Sequence, residues 1–210
     1  MASRVLVMRH GQSEGNVARI WTSAPTGYPL TALGREQART AAAALLAQDV
    51  AVVYHSPLVR ARQTAEEVAA VLAVPTRELV GVEELHAGVH EERHDDDVAP
   101  VAIEVFGRWL RDGDLDHGFE GGETGRAIAD RMAAALGEVA DEHEGQAAVV
   151  VSHGGAMALG LTALTADLAP QFVGEHLLAN AEVVDLVRED DGRWRCVSWA
   201  GLTPVRPAGT

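Results

Sequence analysis

Leu6-Val7-Met8-Arg9-His10-Gly11-Gln12-Ser13-Glu14-Gly15-Asn16 is the stretch on which the reading of this chain turns. The apolar run from Val5 to Met8 has the length of one buried strand, and it hands over to an arginine, a histidine and a glycine. In an open α/β sheet the carboxyl end of a strand is where ligands bind. Taken alone, the stretch is equally a strand running into a solvated polar turn. Two similar junctions decide between these readings. Ala51-Val52-Val53-Tyr54 is a second short apolar strand, followed by Ser56 to Arg60; Ala147 to Val151 is a third, ending in Ser152-His153-Gly154-Gly155. Each gives way to helical periodicity. Strands joined by helical crossovers run parallel, so their carboxyl ends share one edge. His10, His153, Arg9 and Arg60 are therefore expected to converge there, beside helix N-termini that favour an anion. Phosphate is the natural one.

Working outward, 210 residues at 47% hydrophobic and 23% charged are expected to form one soluble domain over 1–202, with a loose tail at 203–210. No apolar run reaches the roughly 18 residues of a membrane span, and Val5 to Met8 is too short for an export signal. The single cysteine, Cys196, rules out an internal disulfide and fits a cytoplasmic protein. A formal charge of -14 argues against nucleic acid or an anionic membrane as partner. All 17 cations are arginine, which removes Schiff-base lysine chemistry and the lysine of a P-loop. The guanidinium fork suits phosphate and carboxylate oxygens.

Along the chain, Val17 to Thr26 reads as a loop, and Thr31 caps a helix bearing Ala38, Ala41, Ala42 and Leu45. Ser56 is placed as the next N-cap with Pro57 in the first turn, ahead of an apolar face from Leu58 to Leu72. Arg77 to Val82 reads as an edge strand, and Glu83 to Asp97 as a polar loop or irregular helix outside the core. Val101, Val105 and Trp109 mark a helix ending near Asp112-Gly113, then a loop to Gly122 and a long helix from Glu123. Asp190-Asp191-Gly192 joins Glu182–Val187 and Arg193–Trp199 as a hairpin. The expected architecture is a three-layer α/β/α sandwich on a mostly parallel sheet. Trp194 and Trp199 read either as core or as the interface of a homodimer.

Four blocks carry a family resemblance. Arg9-His10-Gly11-Gln12-Ser13-Glu14-Gly15-Asn16, Leu30-Thr31-Ala32-Leu33-Gly34-Arg35-Glu36-Gln37-Ala38, Ser56 to Ala65 and Ser152-His153-Gly154-Gly155 together resemble the histidine phosphatase superfamily, the phosphoglycerate mutase-like family. The resemblance implies a phosphoglycerate mutase-like fold with neither metal nor cofactor, acting on a small phosphorylated metabolite. It implies that His10 takes the phosphoryl group as a phosphohistidine. Arg9, Arg60 and a protonated His153 would surround the phosphoryl oxygens, with Ser13, Asn16 and Gly154 as further binding positions. The family's proton donor is a glutamate four residues before a glycine, a spacing met by Glu84 and Gly88, with Glu83 as the adjacent alternative.

Other clusters have competing readings. His86, His90 and His94 lie four apart and suggest a metal-binding face, but Gly88 interrupts the helix this needs. His55 reads as structural, and Glu123 either lines the pocket rim or starts the long helix. The mutases' Arg-His-Tyr-Gly block and longer gripping insertion have no counterpart here, which favours a phosphatase over a phosphotransferase. The third alternative is a non-catalytic phosphate-ligand-binding protein on the same fold. Ile20–Gly27 and His86–Gly122 are the segments expected to shape specificity.

Overall fold

The computed structural model describes residues 2–204. The 203–210 tail expectation lies outside these from 205 onward. Six strands form one sheet: β1 (Ser3–Arg9), β2 (Val50–His55), β3 (Thr76–Glu78), β4 (Ala147–Ser152), β5 (Val183–Arg188) and β6 (Trp194–Trp199). Their order is β3-β2-β4-β1-β5-β6. β1, β2, β3 and β4 pair parallel, while the β5–β6 hairpin adds antiparallel to β1. The seven α-helices among the described residues are α1 (Glu14–Ala18), α2 (Ala32–Ala44), α3 (Val59–Leu72), α4 (Asp95–Leu110), α5 (Gly125–Glu142), α6 (Gly154–Leu164) and α7 (Pro170–Glu175). None is long and apolar enough to cross a membrane.

The period-two alternation of the strands builds the three layers. Leu6 and Met8 of β1, with Val149 and Val151 of β4, turn to the face covered by the alanine stripes of α2 and α3. Val5, Val7, Ala148 and Val150 turn to the opposite face, against Ile128, Met132 and Val139 of α5 and the apolar α6. Small residues on α2 and α3 let those helices lie close to the sheet. Trp199 belongs to the larger core, fully buried with its Nε1–H donating to the His176 carbonyl at 2.7 Å, and Trp194 packs against it.

Several local expectations need correction. Val17 and Ala18 are helical, because Ser13 and Asn16 form a reciprocal capping box that starts α1. Ser56 and Pro57 lie upstream of α3, which starts at Val59 after Leu58. The Ser56 hydroxyl is instead turned toward β4. The edge strand β3 is only Thr76–Glu78. Within the polar segment Glu83–Asp97, Leu85 and Ala87 are buried in the core, and α4 begins at its end, with His94 as N-cap. α7 carries no long periodic pattern and was not foreseen.

Candidate active site

β1, β2 and β4 are parallel neighbours, and their carboxyl ends bring the three junctions together. His10 follows β1, Arg60 lies on the first turn of α3, and His153 links β4 to α6. The His10 ring is 3% exposed and lies 5.1 Å, centroid to centroid, from that of His153. Arg60 Nε donates to His10 Nε2 at 3.1 Å. The other ring nitrogen, Nδ1, sits 2.7 Å from the Gly11 carbonyl, which can only accept. His10 is therefore held with its proton on Nδ1 and the lone pair of Nε2 directed to the cationic side.

Burial, and then the charges of Arg60 and Arg9, push the His10 imidazole well below its ordinary value. Burial, followed by Arg60 and His10, does the same for His153. The fold by itself thus keeps both rings neutral. The protonated His153 of the sequence reading needs a bound dianion to supply the counter-charge.

Arg9 and Arg60 are also pushed down by burial, opposed by the charge of Glu84 on both. Their donors are only partly used: Arg9 Nη1 donates to the Leu178 carbonyl and Arg60 Nη2 to that of Thr22 at 2.9 Å. Arg9 Nε, Arg60 Nη1 and His153 Nδ1 are buried with no hydrogen-bond partner. Three buried unsatisfied nitrogens in one corner is a costly arrangement for a protein to keep. It marks where anionic oxygens belong.

Glu84 and Glu83 part company. Glu84 accepts from the amides of Gly155 at 3.2 Å and Ala156 at 2.8 Å, at the head of α6, and lines the cleft. The carboxylate therefore takes the helix N-terminal donors that were expected to face the anion directly. Glu83 accepts from the Gly81 amide, and Arg131 donates to its carbonyl at 2.9 Å. Arg131 in turn forms a fork with Glu123, whose Oε2 also accepts from the His86 amide. Glu123 is neither rim nor helix start, since Thr124 is the N-cap; it is the brace of the loop that presents Glu84.

The two glycines after His153 have steric reasons. A Cβ on Gly154 would meet Arg9 Nε at 3.1 Å, and one on Gly155 would meet Leu85 Cδ2 at 2.6 Å and Glu84 Oε1 at 2.9 Å. One clears the guanidinium and the other the carboxylate. Gly155 was missed, though it stands in the same block.

Ser13 and Asn16 line the cleft, with Asn16 Oδ1 engaged by the Ser13 amide and by Asn180 Nδ2. Asn180, unforeseen, also donates to the His10 carbonyl at 3.1 Å. The remaining motif positions hold the loop: Thr64 Oγ1 accepts from the Gly11 amide, Gln37 Oε1 from the Gln12 amide, and the Thr31 amide donates to the Gln12 carbonyl. Ser56 Oγ lies 2.6 Å from His153 Nε2. His55 is buried, with Nδ1 2.9 Å from the Ser56 carbonyl.

His86, His90 and His94 share no helix face. His86 precedes the 3₁₀ turn Gly88–His90 that His90 ends, Gly88 has φ +59, and His94 Nδ1 accepts from the Asp96 amide. Among the described residues no group of three His, Cys, Asp or Glu side chains could hold a metal ion.

The cleft has a volume of about 650 Å³, within the range of small-molecule sites. Thr22 from the loop after α1, and Phe106 and Leu110 of α4, also line it.

Comparison with known proteins gives a consistent picture. A model of the histidine phosphatase superfamily (branch 1) matches residues 5–201. A protein of Serratia proteamaculans named a probable phosphoglycerate mutase, GpmB, is 32% identical over 93% of this chain and 89% of its own. Mycobacterial glucosyl-3-phosphoglycerate phosphatase superposes with a TM-score of 0.78 at 25% identity, over 96% of this chain and 100% of that one. A phosphoserine phosphatase from Entamoeba histolytica shares the fold, with a TM-score of 0.77 at 21% identity over 95% and 100%.

Proposed function

The chain belongs to the histidine phosphatase superfamily, and from that premise we propose that it is a metal-independent phosphatase that hydrolyses a small phosphomonoester through a phosphohistidine on His10. The observation that carries the reading is the trio of partnerless buried nitrogens, Arg9 Nε, Arg60 Nη1 and His153 Nδ1, around a histidine whose Nε2 is unprotonated.

In the first step His10 Nε2 attacks phosphorus and the phosphorus–oxygen bond to the alcohol breaks. Arg60 gives up its contact with that lone pair and turns to the phosphoryl oxygens, alongside Arg9. With Ser56 Oγ–H donating to Nε2, His153 keeps its proton on Nδ1 and donates a hydrogen bond from it to a phosphoryl oxygen. Glu84 as the carboxylic acid protonates the departing alkoxide. In the second step water attacks the phosphohistidine, Glu84 takes its proton, and inorganic phosphate leaves a neutral His10. Such chemistry depends mainly on positioning and charge stabilisation. Each charged donor is expected to contribute about 2 to 4 kcal/mol to lowering the barrier.

The test is hydrolysis of p-nitrophenyl phosphate with and without chelator, together with acid quenching for an acid-labile phosphoenzyme. Chelator-resistant turnover is expected, with both turnover and phosphoenzyme lost by roughly 10⁴-fold or more in His10→Ala. Turnover that needs an added metal, or that survives this substitution, overturns the reading. The relationship to a probable phosphoglycerate mutase favours one alternative, transfer within a phosphoglycerate. Interconversion of the two monophosphoglycerates without release of phosphate would establish it.

A further inference from the structure

The cleft continues well past the phosphoryl corner, and its far side has a definite chemical character. Ala102, Ile103, Phe106 and Leu110 from α4, with Leu177 and Leu178 beyond α7, form an apolar wall that meets the corner at Leu178, whose carbonyl accepts from Arg9. Ile103 and Leu177 remain 75% and 73% exposed at the mouth. Exposed apolar side chains are ordinary when scattered, but these two continue the apolar lining of a ligand cleft and so extend a surface fitted to an apolar partner.

The polar groups around the wall are already committed. A second anionic group on the substrate would need a further cation. Beyond the two corner arginines, the cation lining the cleft is Arg19, and it is paired with Asp95 at 3.0 Å and Asp96 at 2.5 Å. Glu91 and Asp95 also line the cleft and oppose a second negative charge. A polyol would need several donors and acceptors along the wall, and those beside it already make bonds within the protein. Thr22 Oγ1 accepts from the Ala24 amide, and Glu91 accepts from those of Ser23 and Ala87, each at 2.7 Å. Asp95 also accepts from Trp21 Nε1 at 2.9 Å.

We propose that the substrate is the monophosphate ester of an apolar alcohol, an alkyl chain or aromatic ring that lies along the α4–α7 wall, rather than a phosphoglycerate, phosphoamino acid or sugar phosphate. This deepens the phosphatase reading and rests on it. The phosphoryl group enters the corner, the ester oxygen faces Glu84, and the hydrocarbon runs outward between Phe106 and Leu178 to the rim at Ile103 and Leu177.

The experiment is a series of n-alkyl phosphates from ethyl to octyl, whose leaving groups have nearly the same basicity, so that the slope reports contact with the wall. kcat/KM is expected to rise about three- to fourfold per methylene until the wall is filled, following the transfer free energy of a buried methylene. Octyl phosphate should exceed 3-phosphoglycerate, phosphoserine and glucose 6-phosphate by at least tenfold. Ile103→Asp, at an exposed position that the fold tolerates, should cut the octyl-to-ethyl ratio by tenfold or more. A flat series, a preference for any of the three polar esters, or an unchanged ratio in Ile103→Asp overturns the inference. p-Nitrophenyl phosphate is the control. Its turnover beside a flat series leaves the phosphatase reading standing, whereas absence of turnover with every ester overturns both.

Discussion

The phosphoryl corner and the apolar wall share one cleft and are built in opposite ways. In the corner, His10 and His153 are buried, and three of the surrounding nitrogens are left without partners. On the wall, the polar neighbours are engaged while Ile103 and Leu177 stand in solvent. Unmet hydrogen-bonding demand draws a charged group into a fixed geometry, and unburied hydrocarbon draws a shape with far looser geometric terms. The corner therefore sets the reaction, which every phosphomonoester shares, and the wall selects among esters. If that division holds, corner substitutions will shift all alkyl phosphates by one common factor, and wall substitutions will change the dependence on chain length.

The largest effect expected on this division comes from Glu84→Gln. kcat/KM reports events up to formation of the phosphoenzyme, where the leaving alkoxide needs a proton. Alkyl phosphates should lose roughly 10³-fold, within the range general acid catalysis supplies. p-Nitrophenyl phosphate, whose phenolate leaves without help, should lose less than about tenfold. The loss should be the same for butyl and octyl phosphate. Equal losses for the aryl and alkyl esters would remove Glu84 from the role of acid and return attention to Glu83.

Arg60→Ala comes next. It removes a phosphoryl donor and the partner of His10 Nε2, and should cost roughly 10² to 10³ in kcat/KM for every ester. Combined with Ile103→Asp the two changes should add in free energy, because one acts on the phosphoryl group and the other at the mouth. Strong non-additivity, measured across the alkyl series, would mean that corner and wall do not work independently.

The same division explains what the sequence made legible. The corner rests on three strand-to-helix junctions, each only a few residues long, so Arg9-His10-Gly11, Ser56 to Arg60 and Ser152 to Gly155 could be read locally and joined by the rule that crossovers make strands parallel. The spacing to Gly88 points to Glu84, but the packing that separates it from Glu83 is not local. It depends on Arg131 and Glu123, some 40 residues downstream, clamping one carboxylate's backbone and leaving its neighbour to the head of α6. The start of α3 was misplaced because Ser56-Pro57 has the chemistry of a cap, while the Ser56 hydroxyl pairs with His153 at the head of α6. The wall was the least legible part. It joins α4 to residues near α7, about 70 positions apart, and an apolar residue facing a cleft has the same periodicity as one facing the core. Leu110 and Trp109 are neighbours in sequence, yet the first lines the cleft and the second is 2% exposed in the core.

A third measurement separates the corner from the wall through pH. His10 and His153 are held below their ordinary values in the native state, so the unfolded chain binds more protons as the solution is acidified. Their contribution to stability is complete above the unfolded histidine value near 6.5 and declines as pH falls through it. Denaturant titrations at pH 7.5 and 5.5 should show the decline, and His153→Asn should lessen it. Ile103→Asp should leave the histidine contribution to that difference intact. A decline of equal size in the His153 variant would show that other groups govern the acid sensitivity.

The smallest expected effect is the one that tests whether the wall excludes anions by design of its charges. Arg19 faces the cleft but is neutralised by Asp95 and Asp96 in an exposed cluster, where ion pairs contribute little to folding. Asp95→Asn together with Asp96→Asn should therefore leave thermal stability nearly unchanged while freeing a guanidinium at the rim. A carboxylate on the substrate would then find a partner that the native chain withholds. kcat/KM for 3-phosphoglycerate should rise by a few-fold, with octyl phosphate unchanged or slightly poorer because the cleft has become more polar. If 3-phosphoglycerate gains nothing, the pairing of Arg19 is not what disfavours a second anion, and the exclusion rests on the Glu91 carboxylate and the hydrocarbon of α4.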